Sequence, residues 1–142
     1  LTVPTSKGLH QAHAAALRAY QREDLWPDGV REALRALLDF LGDDPDFVHA
    51  FAIERRHAPG NDQQLAAARE AFTAFLTPGH DADADLPLLT ADLITGGILH
   101  IVTRYALDDR VAELPSTLAE LTRLALGPYL PADEVLRAVR GC

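Results

Sequence analysis

Six histidines stand in this 142-residue chain, and they are the first place to look for metal chemistry. His10 and His13 lie three apart, a spacing that puts two imidazoles on neighbouring positions of a helix. No Cys, Asp or Glu at ligand spacing completes a tetrahedral set in the same stretch, so they read as a solvated or core-edge pair, and neither a metal nor another cofactor is expected. Asp81, Asp83, Asp85 and Asp92 imitate part of a calcium loop. Leu86 stands where the sharp turn requires glycine, with Pro87 behind it, and a solvated loop is the better reading. Arg55, Arg56 and His57 form the one basic cluster, at the C-terminal end of a helix where positive charge suits the dipole. His100 falls inside a long apolar segment one turn before Arg104, where an imidazole is satisfied in a core or an interface, or touches a ligand. Cys142 is the only cysteine, which rules out an internal disulfide and reads as an incidental terminal thiol. The chain contains no nucleophile elbow, phosphate-binding glycine loop or zinc-protease motif, and no enzymatic activity is expected.

The elements that must position these residues are helices, because apolar residues recur at helical spacing and strand alternation is nearly absent. Proline and glycine mark the boundaries. A first helix is predicted over about Lys7 to Arg22, with Leu9, His13, Leu17 and Tyr20 on one stripe. A second opens at Pro27, aligns Val30, Leu34, Leu37, Leu38 and Leu41, and ends at Gly42. Asp44-Pro45-Asp46 caps a third that runs through Phe47, Val48 and Phe51 to Pro59-Gly60. Asn61 or Asp62 opens a fourth, carrying Leu65, Ala68, Phe72, Phe75 and Leu76 until Pro78-Gly79 breaks it. From Pro78 to Pro87 the chain reads as an exposed loop. The fifth helix, about Leu89 to Arg110, is apolar on two sides, with Ile94, Ile98, Ile101 and Tyr105 on one and Leu99, Val102 and Ala106 on another, so it must be sandwiched. Pro115 opens a sixth, with Leu118, Leu121, Leu124 and Ala125 aligned before Gly127-Pro128, and a short last helix starts at Pro131. The expected fold is therefore one all-α bundle of six to seven helices spanning residues 1–142.

Within that bundle Leu17, Tyr20, Leu38, Phe51, Phe72, Phe75, Ile98 and Tyr105 are primarily core. A pocket between the helices would draw on the same set, with the polar tips of His13, Tyr20, Arg55 or His100 orienting an otherwise apolar ligand. The net charge of -8, from 21 acidic against 13 basic residues, repels phosphate backbones, so the chain is not itself a nucleic-acid reader. No apolar run is long enough for a membrane span and no secretory signal opens the chain, which leaves the cytoplasm as the expected compartment.

From Leu93 to Leu130 the chain is similar to the closing two helices of the TetR (tetracycline-repressor-like) family of transcriptional regulators. The features that carry this are Gly96-Gly97 inside a long apolar helix, Arg104-Tyr105, Glu113-Leu114-Pro115, Leu118 to Leu126, and Gly127-Pro128-Tyr129-Leu130. Upstream, Trp26-Pro27 leading into Val30 to Leu41, then Asp44-Pro45 and Phe47 to Ile53, resemble the family's middle helices, and Ser6-Lys7-Gly8-Leu9 resembles the segment after its DNA-reading head. The resemblance implies an effector-binding and dimerisation body: the middle helices enclose a small-molecule pocket, and the last two long helices, about 89–129, form a four-helix bundle with a second copy. It implies an interface at Gly96, Gly97, Ile101, Tyr105, Leu118, Leu121 and Ala125, and DNA contact only through a helix-turn-helix that is not present in this chain. The glycine pair costs about 1 kcal/mol per residue in helix propensity, which close approach of another helix would offset. A second class of function fits the same residues: a helical interaction or adaptor module that uses its apolar faces for a different protein.

Overall fold

The computed structural model describes residues 2–57, 62–83 and 85–142, with side chains at 7–55, 66–83 and 85–142. Its elements are α1 (Thr2–Gln21), α2 (Trp26–Gly42), α3 (Pro45–His57), α4 (Asp62–Thr73), a 3₁₀ turn (Ala74–Leu76), α5 (Thr77–Ala82), α6 (Thr90–Leu107), a 3₁₀ segment (Val111–Thr117), α7 (Leu118–Leu126) and α8 (Ala132–Val139). All seven anticipated helices are present, and no strand occurs among the described residues.

The boundaries follow the punctuation where its chemistry is simple. Asp44 caps α3 by accepting the Phe47 N–H at 3.2 Å, and Pro131, extended at φ -60 and ψ 154, precedes α8 with Asp133 and Glu134 in its first turn. The end of α3 and the cap of α4, expected at residues 59–62, lie outside the described side chains. Where the chain departs from expectation, packing decides. α1 starts five residues earlier than Lys7, because Pro4 falls in the first turn, where a missing N–H costs no helical bond. Gly8 continues that helix with the Phe47 ring directly against it, so close that a β-carbon there would overlap the ring. α6 stops at Leu107, with Asp109 in the left-handed region at φ 57 and its carboxylate 2.8 Å from His49 Nε2. Pro115 sits inside the 3₁₀ segment instead of opening α7, and the hydroxyls of Ser116 and Thr117 donate to carbonyls three residues back.

The largest correction concerns residues 78–82, whereas residues 83 and 85–87 are non-helical and mostly exposed, as expected. Pro78-Gly79 does not end a helix: Pro78 lies in the first turn of α5, and the turn docks. Gly79 is buried against Trp26 and Tyr129, so close that a β-carbon would come within 2.5 Å of Trp26. Composition hid this contact, because a polar segment packs readily when a glycine lets two aromatic rings approach its backbone.

α2 is the central element, lying against α1, the 3₁₀ segment before α7, α7 and α8. Its apolar face, Val30, Leu34, Leu38 and Leu41, joins Val48, Val102, Leu114, Leu121, Leu126 and Val135 in one continuous core. Beside the core, Arg31 donates to Asp28 at 2.7 Å, Glu32 at 2.8 Å and the Ala138 carbonyl at 3.2 Å, and Arg35 donates to the Gly141 carbonyl at 2.7 Å. These guanidinium groups tie the end of α8 to α2 by capping carbonyls that the helix leaves open.

Candidate functional site

Between α1, α2, α3, α4 and α6 the core is not filled. A cavity of about 110 Å³ remains there, of the order of engineered cavities that admit benzene-sized guests. Small side chains create it. Ala12 and Ala16 lie one turn apart on α1, Ala33 faces them from α2, Ala68 comes from α4 and Ala125 from α7. Larger side chains wall it: Leu9, Val30, Leu34, Leu37 and Leu41, then Phe47 and Phe51, Phe72, Phe75 and Leu76, and Ile94, Ile98, Leu99 and Val102. Arg69 and Thr95 are the lining residues that bring polar groups.

Those polar groups gather at one edge, where α3, α4 and α6 meet. Arg69 and Thr73 stand one turn apart on α4, and the Thr73 hydroxyl donates to Thr95 Oγ1 at 2.9 Å. Next to them Arg55 Nη1 donates to Thr103 Oγ1 at 3.0 Å, and the Thr103 hydroxyl donates to the Leu99 carbonyl at 2.9 Å. Partial burial lowers the proton affinity of Arg55, and the positive charge of Arg69 lowers it further. Among the described residues neither guanidinium has a carboxylate within ion-pair distance.

The structure divides the expected ligand-binding residues. Phe51, Phe72, Phe75 and Ile98 line the cavity. His13 stands behind that wall, stacked on Phe75 at 5.7 Å and edge-on to Phe72 at 5.4 Å, while His10 is exposed. Leu17 and Tyr20 pack with Ala16, Ala33 and Phe75 outside the lining, and the Tyr20 hydroxyl donates to the Phe75 carbonyl at 3.4 Å. Burial raises the Tyr20 pKa, and the neighbouring Trp26 indole, whose N–H donates to the Phe75 carbonyl at 2.8 Å, opposes the rise. Leu38 is fully buried in the main core and does not reach the cavity. His100 lies outside both the cavity and the core: it is exposed on the outer face of α6, because the helix buries its Ile94, Ile98, Ile101 side. Arg55 stands at the polar edge and not in the lining.

What sequence reasoning missed is the alanines and Arg69. The signal for the first was Ala12 and Ala16 at i, i+4 opposite a leucine-rich helix, a pattern that leaves space between backbones too far apart to close. Arg69 carried no such signal, since only the fold sets α4 beside α6.

The interface residues implied by the family resemblance separate just as clearly. Leu118, Leu121 and Ala125 are buried within the chain's own core, with Leu121 2% exposed, so no second copy can reach them in this fold. Ile101 and Tyr105 are half-buried against the same core, and the Arg110 guanidinium lies 4.6 Å over the Tyr105 ring. Gly96 and Gly97 behave differently: a β-carbon at either would meet nothing within 4 Å, so no crossing among the described residues explains them. They lie on an outward stripe of α6 at helical spacing with Leu93, which is 78% exposed, then His100, Arg104 and Leu107. From α7 the exposed apolar residue is Leu124, at 60%.

The fold and site thus define an all-helical protein with an apolar cavity open at one polar edge and an unpartnered leucine and glycine stripe on its longest apolar helix. No protein-family model matches the chain, and no curated protein or solved structure is similar to it. No helix among the described residues is long and apolar enough to cross a membrane.

Proposed function

We propose that the chain is the effector-binding and dimerisation body of a TetR-like transcriptional regulator, acting in the cytoplasm, with a small and largely apolar molecule held in the cavity. The observation that supports this best is the cavity itself. A core that left about 110 Å³ empty by accident would forgo dispersion contacts along all of its walls, whereas a guest restores them. α1 lines the cavity through Leu9, Ala12 and Ala16, so occupancy bears directly on the helix that would follow a DNA-reading head. An effector acts by favouring one head spacing over another, which requires that it bind the two arrangements unequally.

Pairing is assigned to the outward face of α6 instead of to Leu118, Leu121 and Ala125. There Leu93, Gly96, Gly97 and Leu107 let a second copy approach closely.

Thermal unfolding with toluene, indole and hexan-1-ol as probes tests the first half. A probe at about a hundred times its Kd should stabilise the protein by about 2.7 kcal/mol, and Ala68→Leu, which fills the space, should abolish the rise. A protein whose unfolding temperature no probe moves would sink the effector reading. For the second half, sedimentation across a concentration series should give a dimer that Leu93→Glu converts to monomer. A monomer at every concentration would instead favour the adaptor reading, since an exposed leucine stripe without a second copy requires a different protein to cover it.

A further inference from the structure

Building on the effector-binding reading, we infer that the guest is a small apolar carboxylate: its hydrocarbon part fills the alanine-lined cavity, and its carboxylate ends at the α3–α4–α6 edge against Arg69 and the Thr73–Thr95 hydroxyl pair. Two observations converge on that assignment. The wall is apolar almost throughout, and the lining residues that carry polar side chains, Arg69 and Thr95, place those groups at one edge, so a guest's polar group finds partners at that end. At that end two guanidinium groups stand close together, and among the described residues neither has a carboxylate partner.

The charges at the edge fit an anion. The Arg69 charge disfavours the protonated state of Arg55, and an anion set between them would offset that repulsion by attracting both. Thr95 Oγ1 accepts from Thr73, which leaves its own O–H to point at an incoming oxygen. Arg69 is exposed while lining the cavity, so the carboxylate would remain partly hydrated at the mouth and avoid the penalty of full burial. A neutral guest of equal size gains the apolar contacts alone.

The test pairs acids with their alcohols: benzoate against benzyl alcohol and hexanoate against hexan-1-ol, titrated into the full chain by calorimetry at low ionic strength. The acids should bind about tenfold more tightly than the alcohols, as a charge-assisted hydrogen bond to guanidinium implies. Arg69→Gln should erase that preference, so that acid and alcohol bind the variant with the same affinity. Raising salt should narrow the gap in the wild-type chain and not in the variant. Alcohols that bind as well as acids, or a preference that survives in Arg69→Gln, would overturn the carboxylate inference while leaving the cavity a binding site. If neither series binds, the effector reading itself fails and takes this one with it.

Discussion

The α2–α7–α8 side of the molecule and the α1–α3–α4–α6 side are both apolar, yet they are packed on different terms. On the first, Leu38, Leu114, Leu126 and Thr122 are enclosed completely, and guanidinium groups on α2 tie down the end of α8. On the second, alanines occupy positions where leucines would close the gap, and a cavity persists among phenylalanine and isoleucine walls. The same solvent-avoiding residue types thus serve stability at one side and leave room at the other. The difference lies in side-chain volume at a handful of facing positions, and hydrophobicity alone does not register it.

The sharpest way to break this contrast is to remove volume from the packed side. Leu126→Ala should cost about 2–5 kcal/mol by chemical denaturation, because the site is fully enclosed and cannot collapse around the loss. A loss below about 1 kcal/mol would show that this side is no better packed than the other. Adding volume compares the two directly. Ala138→Leu, at a buried position of α8, should cost about 1–3 kcal/mol, whereas Ala68→Leu enters existing space and should stay within about 1 kcal/mol of wild type. Equal costs at the two positions would remove the distinction.

Arg31→Ala should cost about 1–2 kcal/mol by releasing the Ala138 carbonyl and its two carboxylate partners. It should also change the response to acid. Partial burial pushes the Glu32 pKa up, but hydrogen bonds from Arg31 and Arg35 and their charges outweigh it, so the folded-state value lies below the ordinary one. A depressed carboxylate contributes stability that is complete above its unfolded pKa and is lost as the pH falls through the folded one. Wild type should therefore lose stability in that acidic window, and Arg31→Ala should lose less of it. Identical acid profiles for the two proteins would remove Glu32 as the cause. Smallest of all, Gly96→Ala should raise the stability of the isolated chain by about 1 kcal/mol, since the new methyl meets nothing within 4 Å. In sedimentation the same variant should loosen a dimer packed on that face, and an unchanged dimer would place the interface elsewhere.

Much of the fold was legible. Pro27, Asp44-Pro45 and Pro131 mark helix starts because a fixed φ and an absent donor suit only the first turn or the residue just before it, and Leu34, Leu38 and Leu41 share a face because helical spacing leaves no alternative. The candidate site was legible only in part. Phe51, Phe72, Phe75 and Ile98 could be assigned to a pocket wall from residue type and stripe, but Leu38 has the same type and stripe and is plain core. His100 and Ile101 are adjacent in a helix that is apolar on two sides, so periodicity gave no means to say which would face outward. Pro78-Gly79 carried the signature of a breaker and became a docked turn, because Trp26 and Tyr129 happen to meet there.

By itself the sequence determined that this chain is helical, where most of its helices begin and end, and that its acidic character disfavours nucleic acid, since each of these follows from local geometry or from summed charge. Only the tertiary structure decided which face of α6 is left uncovered, that Leu118, Leu121 and Ala125 belong to the chain's own interior, and that Arg69 and Arg55 stand together at the edge of a cavity. Those depend on distances between residues far apart along the chain, and the space that facing alanines leave open exists only once the helices that carry them are set side by side.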